Sequence, residues 1–230
     1  MDTKTHITDN PVEVIPVEHA SGILVWGDKT IYMDPVGVSS LFAGKPTANV
    51  VFVTDIHQDH FSASTLEGLA GDAVIIAPQG VIDQLPQELV SRTRVMKNGE
   101  TMQEQGFTIT AVPMYNLPEA ENANYHTPGR GNGYIIEKDN FRVYIAGDTA
   151  GTSEMRALKN IDIAFVPMNL PYTMSVDEAA DAVLEFKPKI VYPYHFRQQD
   201  GLADMNRFKE LVNTGDPSIE VIVADWYRAK

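Results

Sequence analysis

Three separate apolar runs in this chain end on ionisable side chains, and that pattern constrains the fold more than any other feature. Positions 49–54 read as a strand buried on both faces and lead directly into Asp55-Ile56-His57-Gln58-Asp59-His60. Positions 141–146 run into Gly147-Asp148-Thr149, and positions 189–194 run into His195. Strand ends along one edge of a sheet are where sites collect. Four donor residues crowded into six positions at a buried strand end are costly unless a cation neutralises them. A polar turn would account for one such segment; the matching placement of three favours a shared site.

The remaining pattern is that of a mixed α/β chain. Short strands at 12–17, 22–26 and 30–33 are separated by Gly and Asp turns, and further strands are expected at 73–77, 161–168 and 219–223. Phe107, Ile109 and Ala111 alternate with threonines as in a half-buried strand, and Lys138-Asp139-Asn140 reads as a hairpin turn. Ser64 with Glu67 predicts a capping box for a helix through Leu69. Ser175 with Glu178 predicts another, ahead of the stripe Val176, Ala179, Ala180, Val183 and Leu184. Leu202, Met205, Phe208, Leu211 and Val212 outline a further helix. The expected architecture is α/β (α+β) with mixed sheets and helices packed outside. A flexible tail over 1–11 precedes a single domain over 12–230, and 230 residues can bury a large core without staples.

Composition narrows the chemistry. The chain has no cysteine, which excludes a disulfide framework, a thiolate zinc site, an iron–sulfur cluster and a Cys nucleophile. Any metal must rest on the six histidines and the acids. With 18 Lys plus Arg against 31 Asp plus Glu, the net charge of −13 disfavours nucleic acid and anionic membranes as partners. No apolar stretch approaches a membrane span. The first ten residues lack the apolar run of a signal peptide, although a leader removed earlier would leave no trace. The default compartment is therefore cytoplasmic, or periplasmic after loss of a leader. The expected partner is a small-molecule substrate, with homo-oligomerisation left open.

These residues resemble the metallo-β-lactamase superfamily, whose motif is H-x-H-x-D-H followed by a further His, an Asp in a Gly-Asp-Thr context and a late His after a strand. His57, Asp59, His60, Asp148 and His195 match it in order and spacing. Positions 14–35, with His19-Ala20-Ser21 and Met33-Asp34-Pro35, look like the ascorbate-6-phosphate-lactonase-like branch, and the likeness runs from about 12 to 227. It implies a four-layer αββα sandwich with a dinuclear site at one edge of the sheets.

Two departures stand out. The first motif position is Asp55, not His; Asp coordinates zinc but hardens the donor set toward manganese, iron or magnesium. Where the family often places its middle His, this chain has Tyr115-Asn116, and His126 is the nearest histidine. His126 is taken as the ligand, the alternative being a loop histidine with Asn116 or water in its place.

The implied activity is metal-assisted hydrolysis. Asp55, His57 and His126 would hold one divalent ion, Asp59, His60 and His195 a second, with Asp148 bridging. One or two ions are implied, zinc first, manganese or iron next. They would lower the pKa of a bound water from about 15.7 toward about 7, and the resulting hydroxide would attack a carbonyl or phosphorus centre. Asp59 and Asp148 are the catalytic candidates. Arg130, Arg197, Asn116, Tyr172 and His19 are the substrate-binding candidates, and they suit a small anionic ester, lactone or phosphodiester. A β-lactamase proper is disfavoured by Asp55, and a nuclease by a pI near 4.8. A non-catalytic metal- or ligand-sensing module on the same scaffold remains an alternative.

Overall fold

The computed structural model describes residues 10–69 and 71–227. Two sheets face each other. The first contains β1 (Val12–Glu18), β2 (Ser21–Trp26), β3 (Lys29–Met33), β4 (Val50–Phe52), β5 (Val74–Ala77) and β6 (Thr93–Val95), in sequential order. β1 to β3 are antiparallel and β3 to β6 parallel. The second sheet contains β7 (Thr101–Glu104), β8 (Phe107–Met114), β9 (Gly131–Lys138), β10 (Phe141–Ile145), β11 (Ile163–Pro167) and β12 (Ile190–Tyr194). After a small hairpin of β13 (Arg197–Gln198) and β14 (Gly201–Leu202), β15 (Glu220–Val221) returns to this sheet beside β12, giving the order β15-β12-β11-β10-β9-β8-β7. Strands β10, β11, β12 and β15 run parallel.

The helices are α1 (Ala63–Leu69), α2 (Gln79–Ile82), α3 (Gln87–Val90), α4 (Ser153–Arg156), α5 (Val176–Phe186) and α6 (Met205–Gly215). Side-chain alternation along a strand sorts them into layers. Leu24, Trp26, Val50, Phe52 and Ile76 point into the core shared by the two sheets. Their neighbours Ile23, Val51, Val53, Ile75 and Ala77 point the other way, onto Leu66 of α1, Val81 of α2 and Leu89 of α3. Beyond the second sheet, Ala179, Val183 and Phe186 of α5 and Phe208 and Val212 of α6 join the main core. The result is the αββα sandwich. Each of the larger buried apolar side chains contributes about 1.5–3 kcal/mol through burial.

Local chemistry explains the element ends. Ser175 and Glu178 form the full capping box of α5. The cap of α1 is Ser62, two residues earlier than the expected Ser64: Ser62 Oγ accepts from Thr65 N at 3.2 Å. The last helix starts later than its apolar stripe suggests, because Asp204 Oδ1 accepts from both Asn206 N and Arg207 N. Leu202 therefore belongs to β14 and is exposed. Asp139 and Asn140 take φ of 53° and 62°, the left-handed pair a tight hairpin turn requires. The strand expected at 219–223 pairs only over Glu220–Val221. Of the expected tail, residues 1–9 lie outside the described residues. Among the described residues no helix is long and apolar enough to cross a membrane.

Candidate metal centre

Parallel strands with a shared direction deliver their carboxyl ends to one edge. Asp34 follows β3, Asp55 follows β4, Asp148 follows β10, Asn169 follows β11 and His195 follows β12. All five converge beneath a cavity of about 460 Å³, whose lining includes His19, His57, Asp59, His126, Asp148 and Arg197. The approach is tight: a Cβ at Gly147, where φ is 66°, would lie 2.3 Å from Met114 Sδ, so only glycine lets this backbone seat Asp148.

Asp148 is the junction. Its Oδ2 lies 3.2 Å from His126 Nε2 and 3.3 Å from His60 Nε2, and its Oδ1 lies 3.5 Å from His195 Nε2. Two donor sets share this junction. His60 and His195 form one set with Asp148, and Asp55, His57 and His126 form the other. A third grouping joins His19 and Asp59 to His195. Asp59 Oδ2 is 3.2 Å from His195 Nε2 and 3.3 Å from His19 Nε2.

The electrostatics are those of a cation site. Burial opposes charge on His60, yet Asp148 and Asp34 hold its imidazole well above the ordinary range. Burial likewise opposes charge on Asp148, but His195, His60 and His126 hold its carboxyl well below the usual carboxylate range. Asp59 is lowered too, since the bonds from His19 and His195 outweigh its burial. Burial lowers His19 and His57. Several buried donors have no hydrogen-bond partner: His60 Nε2, both ring nitrogens of His126, and Asp148 Oδ1. Buried polar atoms are rarely left so. Of these orphans, His60 Nε2, His126 Nε2 and Asp148 Oδ1 come from different elements to one place, as a metal's donors do, so these residues fit a divalent cation.

Neighbouring groups fix the tautomers. His60 Nδ1 donates to Asp34 Oδ2 at 2.8 Å, which turns Nε2 toward Asp148 and the site. Asp34 also accepts from Thr54 N and Thr54 Oγ1, both at 2.7 Å. The Asn169 amide lies 2.9 Å from His195 Nδ1 and its Oδ1 is otherwise orphaned. Turned so that Oδ1 accepts from Nδ1–H, it frees Nε2 as a donor atom. Tyr227 Oη accepts from Arg197 N at 3.0 Å and donates to His19 Nδ1 at 2.7 Å, leaving His19 Nε2–H for Asp59. His19, Asp34 and His195 all have positive φ, of 56°, 40° and 49°. Strained backbone of this kind concentrates where geometry is being enforced.

A beta-lactamase superfamily domain matches residues 13–195. The chain belongs to this superfamily. Within it the relatives are UPF0173 metal-dependent hydrolases. That of Thermococcus onnurineus is 31% identical, covering 92% of this chain and 96% of the relative. That of Thermus thermophilus is 29% identical over 86% of this chain and 92% of its own. A solved structure of a metal-dependent hydrolase from Parabacteroides distasonis is 35% identical, with a TM-score of 0.81 and 94% of both chains covered. The chain is thus a metal-dependent hydrolase of the metallo-β-lactamase superfamily.

Against the superfamily motif, His57, Asp59, His60, Asp148 and His195 are gathered at one point, and so is His126. Asn116 is not in the donor sets. It is fully buried, and its Nδ2 donates to the carbonyls of Asn122 and Tyr172. Asn116 N donates to His126 O at 2.8 Å, so the 116–126 loop closes on itself and returns His126 to the site. Arg130 does not reach into the cavity freely, because its Nε and Nη2 are engaged by Asp55. Arg197 lies at the cavity wall over the Tyr227 ring, 4.8 Å from its centroid, with no ion pair among the described residues. Tyr172 meets Tyr125 edge-on, their ring centroids 5.0 Å apart, and both line the cavity. Sequence reasoning missed the supporting roles of Asp34, Tyr227 and Asn169. The signal for Asp34 was present: it too ends an apolar strand.

Proposed function

We propose that the chain hydrolyses a small anionic ester, lactone or phosphodiester at a dinuclear centre, with zinc as the first choice of metal and manganese or iron next. The observation that carries this reading is the convergence of two His/Asp donor sets on Asp148 beneath one cavity. His57, His126 and Asp55 Oδ2 would hold one ion, and His60, His195 and Asp59 the other, with Asp148 between them. Such ions lower the pKa of water toward about 7 and offset charge growing on a carbonyl or phosphoryl oxygen. The chain's own residues do the rest. Asp59 is partly exposed to the cavity, and the bond from His19 Nε2 fixes its Oδ2, so it can orient the attacking water and take its proton. Asp34 and Asn169 hold two imidazoles in their working tautomers. Arg197 is placed to pair with an anionic group of the substrate, and Tyr172 to line its path. The likeness of positions 14–35 to the ascorbate-6-phosphate-lactonase-like branch supports a lactone or phosphorylated sugar derivative among these substrates.

The test is a panel of lactone, carboxylic ester and phosphodiester substrates assayed as isolated, after exhaustive chelation, and after return of Zn²⁺, Mn²⁺ or Fe²⁺. Turnover should vanish on chelation and return with metal. Full activity in metal-free protein would overturn the reading.

A further inference from the structure

The first position of the superfamily motif, His in the family and Asp55 here, is occupied by half of an ion pair. Asp55 is fully buried and the Arg130 side chain is 20% exposed. Asp55 Oδ1 accepts from Arg130 Nε at 3.0 Å and from Ile56 N at 2.8 Å, which uses both of its lone-pair directions. Oδ2 accepts from Arg130 Nη2 at 2.7 Å and also faces His57 Nδ1 at 3.1 Å and His126 Nε2 at 3.8 Å. One lone pair of one oxygen is therefore left for the site.

We infer that Arg130 is a positioning residue that makes the Asp55 carboxylate an electrically neutral stand-in for the motif's first histidine. This rests on the metal-centre reading above. A neutral imidazole offers one lone pair and no charge. The Asp55–Arg130 pair does the same, because the guanidinium fork cancels the carboxylate's charge and occupies its other lone pairs. The charge of the donor set agrees. Asp55, Asp59 and Asp148 with Arg130 give the same total as Asp59 and Asp148 alone beside a first-position histidine. The pair is also delivered economically. Arg130 N closes a turn on Thr127 O, with Gly129 at φ 80°, so the loop that brings in His126 brings the counter-charge too. Lysine would not substitute, since a point charge cannot engage both oxygens in one plane.

The experiment measures unfolding temperature in EDTA and in saturating Zn²⁺, with zinc content per chain, for wild type, Arg130→Gln, Asp55→His and the double variant. Arg130→Gln should lower the unfolding temperature in EDTA, because Asp55 is then buried without its counter-charge. It should also enlarge the zinc-induced rise, because zinc becomes the cation that neutralises Asp55. Asp55→His alone strands Arg130 beside the cation and should weaken zinc binding about tenfold, on the scale of losing a ligand's supporting partner. The double variant should restore wild-type zinc content and bring the zinc-induced rise within about 2 °C of wild type. A zinc-induced rise unchanged by Arg130→Gln overturns the proposal, whether or not the EDTA value falls. If Arg130→Gln does not fold, equal zinc binding by Asp55→His and the double variant overturns it. A wild type with no zinc-induced rise overturns the metal-centre reading and this inference together.

Discussion

The two halves of the centre are built on opposite principles. Around His60 and His195 every imidazole is held from behind: Asp34 and Thr54 hold His60, Asn169 holds His195, and both histidines are wholly buried. Around Asp55 the support is electrostatic. The His57 side chain is 38% exposed, His126 has no hydrogen bond to either ring nitrogen, and Arg130 grips the carboxylate. The first half is preorganised by neighbours and the second by charge balance. A metal should therefore bind first and more tightly in the half whose ligands are already oriented, since less ordering remains to be done on binding.

The broadest challenge to this contrast is Asp148→Ala, which removes the carboxylate common to both halves. On the proposed two-ion reading both ions should be lost, and kcat/KM should fall by about 1,000-fold or more, the scale of losing a charge-stabilising group at a reaction centre. Metal content and kinetics on the same preparation would check it. Retention of either ion would show that the halves are independent after all.

Asp34→Asn touches only the packed half. Affinity for one ion should fall by roughly 10–100-fold while the other is kept. Competitive chelation would resolve the two. The same variant should cost about 1–3 kcal/mol in the metal-free state, because a buried donor at Thr54 or His60 is left without its acceptor.

A pH series separates the halves without mutation. In metal-free protein His60 is raised by Asp148 and Asp34, so the stability it contributes is present below its unfolded value of 6.5 and is lost as pH rises through its raised folded value. The unfolding temperature in EDTA should therefore fall from about pH 6 to pH 9. With zinc the trend should reverse, because the cation competes with that proton. An EDTA curve rising over this window would contradict the packed half as described.

The smallest expected effect is that of Tyr227→Phe, which removes one hydroxyl bridging Arg197 N and His19 Nδ1. It should cost about 1 kcal/mol of local order and a few-fold in KM, with metal content unchanged.

The packed half was the more legible in the sequence. His60, Asp148 and His195 each follow an apolar strand, and three strand ends with donors point to one edge even before topology is known. Asp34 escaped because a lone Asp before Pro35 reads as a turn. Only the parallel pairing of β3 with β4 shows that it shares the edge with Asp55. The open half was legible in its histidines and opaque in its arginine. Arg130 adjoins Gly129 and Gly131 in sequence but pairs with a residue 75 positions earlier, and no local pattern encodes that. The fold followed the same rule. Hairpins, the α5 capping box and the Ser62 cap of α1 are written locally, whereas the early end of β15 depends on its pairing with β12, distant in sequence.

The clasp at His19 links distant parts of the chain. His19 N donates to Trp226 O, His195 N donates to His19 O, and Tyr227 bonds to the His19 ring. A ribosome delivers His19 long before Trp226 and Tyr227, so the clasp on the His19 loop is complete only once those two residues have emerged. A polypeptide broken off between His195 and Trp226 would carry every donor named above without the latch at His19.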